Sequence, residues 1–324
     1  MVRRCRIRRL VVVAGLVLLV GVPTGGLLGV AEPAGATPFR AQTWNVARGN
    51  SDIRNAYAKK NGGPGFYQHG LDVIWNAVAY TYGNPVWSFS LQEVCRAMVT
   101  EIARALNNPP FHNYQRYYAD FGKTSQGTAC NNFGSDYGNG LLAIGVAIQG
   151  EDWQFRSHPP GVTHEPKAIR CVKMMSWGFN TLNCSTHLTP SDRDNDTYKY
   201  VQASEAHSMT TLWAEAHTAL QITGGDFKIN FTPPLSGMRD EFRRWYWGWG
   251  WHAHDEAWVD PWVNRRRPTH ISERMIDYVW VRHPQFERFG FEGIWCEPLY
   301  EAWHNRWLLI SDHRLCPGRF WHGG

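Results

Sequence analysis

The 324-residue chain lacks the ligand spacings that are typical of zinc sites, since it contains no CxxC pair and no HxxxH pair. It also lacks a proline- and serine-rich linker, a low-complexity tract and a repeat of fixed period. Beyond the first 36 residues, no apolar run is long enough to span a bilayer. These absences give no support to a zinc protein, a repeat protein or a polytopic membrane protein.

Residues 1–36 have the pattern of a secretory signal peptide. Five arginines precede the apolar run 10–22, and Ala34-Gly35-Ala36 matches an A-x-A cleavage site. A retained membrane anchor is the weaker interpretation, because the run is short and breaks at Pro23. Arg8-Arg9 leaves twin-arginine export open. We predict a secreted protein without a stable membrane span, cleaved near Ala36.

Charge gives little information about partners once this leader is removed. The leader contains five of the 33 basic residues and one of the 28 acidic ones, so 28 basic and 27 acidic residues remain. A nearly neutral chain does not require a polyanionic partner, although a local basic patch is compatible with it.

Six cysteines remain after the leader, and an even number in an exported chain favours disulfides over free thiols. Fifteen connectivities are open to six cysteines. Pairing of sequence neighbours is the simplest hypothesis, and it gives Cys95–Cys130, Cys171–Cys184 and Cys296–Cys316.

Residues 37–324 have the length of one large domain, and the periodicity of apolar residues predicts alternating strands and helices. The helices are predicted at 71–80, 97–106 and 198–219, the last with Ala206 and Leu212 among its inward positions. Strands are predicted at 42–46, 86–94, 113–118, 139–148, 171–175, 181–186, the residues before Asp226, 275–281 and 307–310. This order favours a mixed α/β layered fold.

Several predicted strands end in a side chain that can do chemistry. Ile222-Thr223-Gly224-Gly225-Asp226-Phe227 is one such stretch, with two glycines that would let the backbone come close to a ligand. Each residue alone has an ordinary explanation, since a single strand-end acid is most often a turn or cap residue. The other residues of this kind are Asn45, Glu93, His187, Asp277, Asp312 and His313.

Convergence of these side chains would define a metal site. Carboxylates that meet at one point repel each other unless a cation joins them, and hard oxygen ligands suit Mg²⁺, with Mn²⁺ or Ca²⁺ as alternatives. A metal-bound carboxylate cluster beside histidines is typical of phosphate-ester hydrolysis, because the metal neutralises charge on phosphate oxygens and histidine handles protons.

The order of these motifs resembles the endonuclease/exonuclease/phosphatase superfamily, whose type member is pancreatic deoxyribonuclease. The matching segments are TWNV at 43–46, LQEV at 91–94, GNGLLAIG at 138–145, STHLTP at 185–190, GGDF at 224–227, IDYVWV at 276–281 and SDHRL at 311–315. The resemblance implies a four-layer α/β/β/α sandwich, in which two packed mixed sheets are flanked by helices.

The resemblance also implies residue roles. It makes Asn45, Glu93 and Asp312 metal-site residues, with Glu93 the principal ligand and Asn45 also near the substrate. His187 would protonate the leaving oxygen or bind the phosphate, and Asp226 would orient or deprotonate the attacking water. Asp277 would tune a histidine, and His313 would be a general base that Asp312 helps to orient.

Two positions depart from the family pattern. The residue after GGDF is normally an asparagine that contacts the scissile phosphate, whereas here it is Lys228, with Asn230 two residues further on. We assign both to substrate binding. A lysine binds phosphate as a point charge, but its flexible stem positions the phosphate less sharply than an asparagine would. Cys95 stands where the nuclease branch often has arginine.

The expected function is a secreted, monomeric, metal-dependent phosphoric-ester hydrolase, with a nuclease as the leading hypothesis. A sphingomyelinase-like or phosphoinositide-type enzyme that acts on phospholipid head groups is the alternative. A non-catalytic binding protein on the same scaffold is a third hypothesis, suggested by Lys228. The tryptophan-rich segment 245–251 could stack on bases, insert into a lipid interface, bind sugar or pack beneath a loop.

Overall fold

Two six-stranded mixed sheets form the centre of the molecule. The computed structural model describes residues 38–46, 53, 55, 66–83, 86–111, 116–126, 130, 133, 134, 136–156, 167–176, 178–190, 197–230, 245, 251–253, 270, 272, 276–282, 289–293, 300–303, 306–309 and 311–322. Every element of these residues lies in one compact unit, Pro33–Gly324. The leader 1–36 lies outside the described residues, so the boundary near Ala36 stays a prediction.

The first sheet has the strand order β11-β14-β1-β2-β4-β3. Only β1 and β2 pair in parallel in this sheet, and the other neighbours are antiparallel. Its strands are β1 Pro38–Asn45, β2 Ser88–Cys95, β3 Tyr117–Gln126, β4 Asp136–Ile144, β11 Phe289–Gly293 and β14 Cys316–His322.

The second sheet has the order β5-β6-β7-β8-β10-β9, with β7 and β8 parallel. Its strands are β5 Val146–Gln154, β6 Ala168–Ser176, β7 Phe179–His187, β8 Leu220–Asp226, β9 Trp251–Ala253 and β10 Asp277–Arg282. A separate hairpin consists of β12 Tyr300–Trp303 and β13 Arg306–Leu309.

Helices cover the outer face of each sheet. Helix α1 (Phe66–Gly83) packs on α2 (Arg96–Leu106), which covers β2, β3 and β4, and α3 (Thr197–Ala216) covers β7 and β8. Helix α2 turns Met98, Val99, Ile102, Ala103 and Leu106 inward at helical spacing. The predicted four-layer α/β/β/α sandwich is therefore confirmed. Among the described residues, no helix combines the length and hydropathy that a membrane crossing requires.

The two sheets approach closely next to Asp226, at Gly224 and Gly225. A Cβ on Gly224 would lie 2.5 Å from the Ser90 hydroxyl of the facing sheet, and the same hydroxyl donates to the Cys184 carbonyl at 2.9 Å. A Cβ on Gly225 would lie 2.3 Å from the Thr186 carbonyl oxygen. The glycines of the GGDF motif therefore serve strand and sheet packing, where the sequence suggested close approach to a ligand.

Some element predictions were wrong. A single strand was expected at 139–148, but Gly145, with φ of +130°, separates β4 from β5 and passes the chain from one sheet to the other. The strand expected at 113–118 overlaps β3 at its end, but β3 continues to Gln126, and residues 113–115 lie outside the described residues. In α3, Ala206 is buried as expected, but Leu212 is exposed.

Two of the three expected disulfides are present. Cys95 bonds Cys130 and Cys171 bonds Cys184. The second bridge joins directly paired residues of β6 and β7. Cys296 lies outside the described residues, so Cys296–Cys316 stays a prediction.

Candidate active site

The predicted site residues meet at one edge of the sandwich. Asn45, His187 and Asp226 are the last residues of β1, β7 and β8, and Asp277 is the first residue of β10. The parallel pairing of β7 with β8 sets His187 opposite Asp226, and the antiparallel pairing of β10 sets Asp277 opposite Asp226. The Asn45 amide donates to Asp226 Oδ2 at 2.9 Å and to Glu93 Oε1 at 3.2 Å, which joins the two sheets.

Glu93 reaches this edge through a break in the β2 ladder. The register shifts between Leu91 and Val94, and Glu93 has φ of +53°, a left-handed conformation that is uncommon for a residue with a side chain. Burial alone would raise the pKa of Glu93, but His187, Lys228 and the Asn45 hydrogen bond hold it below its ordinary value of 4.5. Glu93 is therefore ionised, and its side chain is 18% exposed.

His313 and Asp277 form a buried hydrogen-bonded pair. His313 Nδ1 donates to the Asp277 carboxylate at 2.8 and 3.0 Å, and Nε2 lies 3.5 Å from Asp226 Oδ2. Burial alone would lower the pKa of His313, yet it rises to about 9 because Asp277 and then Asp226 stabilise the imidazolium. Burial raises the pKa of Asp277, while the charge of His313 opposes that rise.

The segment before β14 holds His313 in place. The Ser311 hydroxyl donates to the Asn45 carbonyl at 2.6 Å and accepts the His313 backbone N–H at 3.0 Å. The SDH motif is thereby fixed to the end of β1, and this fixes the distance between His313 and the strand-end residues.

Asp226 is fully buried among cationic and amide donors. Lys228 Nζ lies 2.5 Å from its Oδ2, and the Lys228 backbone N–H donates to Oδ1 at 3.0 Å. Burial alone would raise the pKa of Asp226, but Lys228, His313 and His187 lower it well below its ordinary range. The pKa of Lys228 is raised in turn, because Asp226 and Glu93 outweigh the effect of burial. The residue at the usual asparagine position is thus one half of a buried ion pair.

His187 has a partner that the sequence did not suggest. Its Nδ1 lies 3.3 Å from Lys167 Nζ, and both side chains are buried. Burial and then Lys167 lower the pKa of His187 to about 3. Nε2 lies 3.7 Å from Asp226 and 3.9 Å from Glu93, and it has no hydrogen-bond partner among the described residues.

Asp312 lies at the partly exposed margin of the site. Its Oδ1 is 4.0 Å from His313 Nε2, whereas Asp277 makes the close contact with His313. Its Oδ2 is 3.5 Å from Nε2 of His270, a second residue that the sequence did not single out. His270 pairs with His313 in an isolated β-bridge.

Two groups of described residues bring possible metal ligands within 4.8 Å of each other: His270, Asp312 and His313, and Asp226, Asp277 and His313. His270 Nδ1 accepts the Ser272 backbone N–H at 3.0 Å, so the proton of a neutral ring lies on Nε2. In the second group, the positive charges of Lys228 and His313 already balance the negative charges of Asp226 and Asp277.

The structure brings Asn45, Glu93, His187, Asp226, Asp277, Asp312 and His313 together, and their roles stay predictions. Lys167 and His270 were missed because their partners are distant in sequence, and only strand pairing brings them together. Asn230 is exposed, and its role in substrate binding stays a prediction. Trp245 is fully buried and packs on Phe227 and Trp280, while most of the segment 245–251 lies outside the described residues.

The two-sheet sandwich with its strand-end cluster has the fold of the endonuclease/exonuclease/phosphatase, or deoxyribonuclease I-like, proteins. A family protein of this kind from Bacteroides thetaiotaomicron aligns at 15% identity over 88% of this chain and 98% of its own, with a TM-score of 0.57. Comparison with protein-family models and with curated proteins gives no match.

Two further structures have the same architecture. TDP2 of D. rerio complexed with a single-strand DNA product aligns at 12% identity over 88% of this chain and 99% of its own, with a TM-score of 0.56. The mannosyl-6-phosphatase of Bacteroides thetaiotaomicron aligns at 14% identity over 87% and 98%, with a TM-score of 0.57. At these identities the similarity establishes the fold, and the chemistry must be argued from the site.

Proposed function

We propose that this chain is a secreted, metal-dependent phosphoric-ester hydrolase, with nucleic-acid phosphodiesters as its leading substrate. One observation carries the proposal: the buried His313–Asp277 pair faces Asp226 at 3.5 Å, at the same sheet edge as Glu93 and His187. Paired acid–histidine contacts and a nearby second histidine are suited to proton handling on an ester.

The donor set fits a hard divalent cation. Glu93 is ionised and partly exposed, and the predicted partners Asn45 and Asp312 also offer oxygen ligands. These three residues would hold Mg²⁺, with Mn²⁺ or Ca²⁺ as alternatives. When bound, such a cation would neutralise negative charge on the phosphoryl oxygens.

The remaining side chains divide the work on the ester. Asp226 stays anionic, so it orients the attacking water and accepts its proton as the new P–O bond forms, and the leaving oxygen takes a proton from solvent as its bond to phosphorus breaks. His313 is an imidazolium near neutral pH, so its Nε2–H donates to a phosphoryl oxygen, in place of the general-base role expected from the resemblance. Asp277 keeps His313 charged and aimed, and Lys228 adds a fixed positive charge beside the reacting phosphate.

Nucleic acid is favoured as the substrate by the motif order and by the TDP2 structure with a bound DNA product. The mannosyl-6-phosphatase shows that a neighbour on this fold acts on another phosphoester. The lipid-enzyme alternative rests on the high tryptophan content of a chain expected to be exported, and burial of Trp245 removes one tryptophan from contact with a membrane. The Lys228–Asp226 ion pair is the observation that favours a non-catalytic binding protein instead.

Plasmid nicking with Mg²⁺ tests the proposal. We expect nicking by the wild type and none with a chelator or in Glu93→Ala. Glu101→Ala is the matched control, because Glu101 is paired with Arg104 on the exposed face of α2. A panel of DNA, RNA, phospholipid vesicles and an aryl phosphodiester with Mg²⁺, Mn²⁺ and Ca²⁺ extends the test. Release of phosphocholine without nicking would favour the lipid enzyme, and inertness toward the whole panel would overturn the hydrolase proposal.

A further inference from the structure

Lys167 is a buried cation that the proposed chemistry does not use. It is the residue before β6, and its backbone carbonyl accepts the Phe155 N–H at 3.0 Å. Its side chain is 6% exposed, and its Nζ lies 3.3 Å from His187 Nδ1. A buried lysine with its ammonium against one nitrogen of a site histidine is a specific arrangement that packing alone does not require.

The contact determines where the imidazole proton resides. An ammonium group has three donors and no acceptor, so a histidine nitrogen at hydrogen-bond distance from it must accept. His187 Nδ1 is then unprotonated, and the single proton of the neutral ring lies on Nε2. This is the nitrogen that has no hydrogen-bond partner among the described residues and lies between Asp226 and Glu93.

We propose that Lys167 is a positioning residue that locks His187 as the Nε2–H tautomer, so that His187 binds a phosphate-ester oxygen as a neutral hydrogen-bond donor. This inference rests on the proposed phosphoesterase function. It decides between the two roles open to His187, because a ring held neutral by a cation on its other nitrogen binds the phosphate and does not protonate the leaving oxygen.

The geometry of Nε2 supports this role. Distances of 3.7 Å to Asp226 Oδ2 and 3.9 Å to Glu93 Oε1 are too long for hydrogen bonds, yet both carboxylates attract the donor toward the space between them. A buried N–H without a partner is costly unless a ligand satisfies it. A phosphoryl oxygen that enters between the sheets would accept this hydrogen bond.

The direct test is imidazole ¹⁵N NMR of the full mature chain at neutral pH, with ¹⁵N-labelled histidine and His187→Gln to assign the ring. We expect an unprotonated Nδ1 and a protonated Nε2 for His187. In Lys167→Met this preference is lost, and Lys167→Arg restores it. A protonated Nδ1 in the wild type would overturn the proposal.

Kinetics give the second readout. A hydrogen bond to a charged group corresponds to about ten- to a hundredfold in binding, so we expect Lys167→Met to raise KM for the phosphodiester and to weaken competition by inorganic phosphate within that range. Lys167→Arg should recover most of both. Lys173→Met is the matched control: it removes a lysine of β6 that lies over the Trp213 ring, and it should change neither quantity.

The outcomes separate the inference from the function on which it rests. If the wild type hydrolyses no ester but shows the Nε2–H tautomer that depends on Lys167, the hydrolase proposal fails and the positioning role stands. If the wild type is active and Lys167→Met, folded by circular dichroism, keeps the wild-type tautomer and KM, the inference fails and the hydrolase proposal stands.

Discussion

At the residue scale, the negative charge of Asp277 controls whether His313 is protonated. Asp277 supports the pKa of about 9 for His313 and also fixes which ring nitrogen faces Asp226. An asparagine would keep the volume but lose the charge, so the pKa of His313 would fall toward its ordinary value of 6.5. This residue therefore links the pH dependence of the site to one hydrogen bond.

We predict that Asp277→Asn lowers kcat by about 10²- to 10⁴-fold, the range that loss of an acid–base partner produces. Because protonated His313 is the active form in the proposed chemistry, wild-type activity should fall as pH rises through about 9. In the variant this fall should move toward pH 6.5. Initial rates of phosphodiester hydrolysis from pH 5 to 10 test it, with Asp136→Asn as control, because Asp136 is partly exposed and pairs with Arg96 and Lys123. An unchanged alkaline limb would contradict the role of His313 as donor.

Lys228 and Asp226 are coupled in stability as well as in function. Breaking a buried ion pair on one side leaves an uncompensated charge, so we predict that Lys228→Met lowers the free energy of unfolding by about 3 kcal/mol. In the Asp226→Asn background the same change should cost less, about 1 kcal/mol. Urea denaturation of the four proteins measures the coupling. Lys123→Met, which breaks the partly exposed pair with Asp136, is the control and should cost under about 1 kcal/mol.

The pH dependence of this pair has a definite sign. The pKa of Asp226 is depressed below its ordinary value of 3.8, so its contribution to stability is present above that pH and is lost as the pH falls. The stability difference between wild type and Lys228→Met should therefore shrink in acid. A constant difference down to low pH would indicate that the pair contributes little.

At the scale of elements, an irregularity in β2 brings Glu93 to the site: the strand register shifts there, and Glu93 itself has a left-handed backbone conformation. A non-glycine residue in the left-handed region costs about 1 kcal/mol, so this conformation persists because the surrounding strands hold it. Strain at the principal predicted metal ligand indicates that stability and function oppose each other at this position.

We predict that Glu93→Gly is more stable than Glu93→Ala by about 1 kcal/mol, while neither variant hydrolyses a phosphodiester. Thr218, with φ of +47° on the exposed turn after α3, supplies the matched comparison. Thr218→Gly should be more stable than Thr218→Ala by a similar amount, and both variants should retain full activity. Equal stability of the two Glu93 variants, with the expected difference at Thr218, would show that the β2 backbone relaxes when the carboxylate is removed.

Sequence patterns predicted elements well where one period dominated. Helix α2 and strands β7, β8 and β10 lie close to their predicted positions, because their apolar residues face a single core. The break at Gly145 was missed because 140–148 contains only glycine and apolar residues, and the Gly145 φ of +130° marks where the chain changes sheets. In α3 the buried positions hold alanines such as Ala203 and Ala206 together with the polar Lys199 and Gln202, so apolar size did not mark the inward face and Leu212 was wrongly placed inside.

The sequence predicted which residues meet at the site, but it did not predict which of their side chains contact each other. Motif order placed Asn45, Glu93, His187, Asp226 and Asp277 at one edge. The parallel pairs β1–β2 and β7–β8 end there together, whereas Asp277 begins the antiparallel strand β10. The partner of each side chain depended on rotamers and on loops between strands, which carry no periodic signal. The contact of Lys167 with His187 and the pairing of Lys228 with Asp226 are examples.

At the scale of the whole molecule, the site belongs to neither sheet alone. Asn45 and Glu93 come from the first sheet, and Asp312 lies just before its strand β14, whereas His187, Asp226 and Asp277 come from the second. The Asn45 side-chain amide donates to Glu93 within the first sheet and to Asp226 of the second sheet, so it connects the two sheets. A ligand that binds here therefore requires both sheets in register, and its binding energy adds to global rather than local stability.

We predict that a bound divalent cation stabilises the folded chain against global unfolding. At a Mg²⁺ concentration of a hundred times Kd, the free energy of unfolding should rise by about 2.7 kcal/mol, and Tm should rise with concentration. Glu93→Ala should lose this dependence, whereas Glu151→Ala, on the exposed edge strand β5, should keep it.

Hydrogen exchange locates the effect: Mg²⁺ should slow amide exchange in β1 and β8 together, because opening either sheet destroys the site. Protection confined to one sheet would place the cation on that sheet alone, and no concentration dependence of Tm with Mg²⁺, Mn²⁺ or Ca²⁺ would contradict a metal at Glu93.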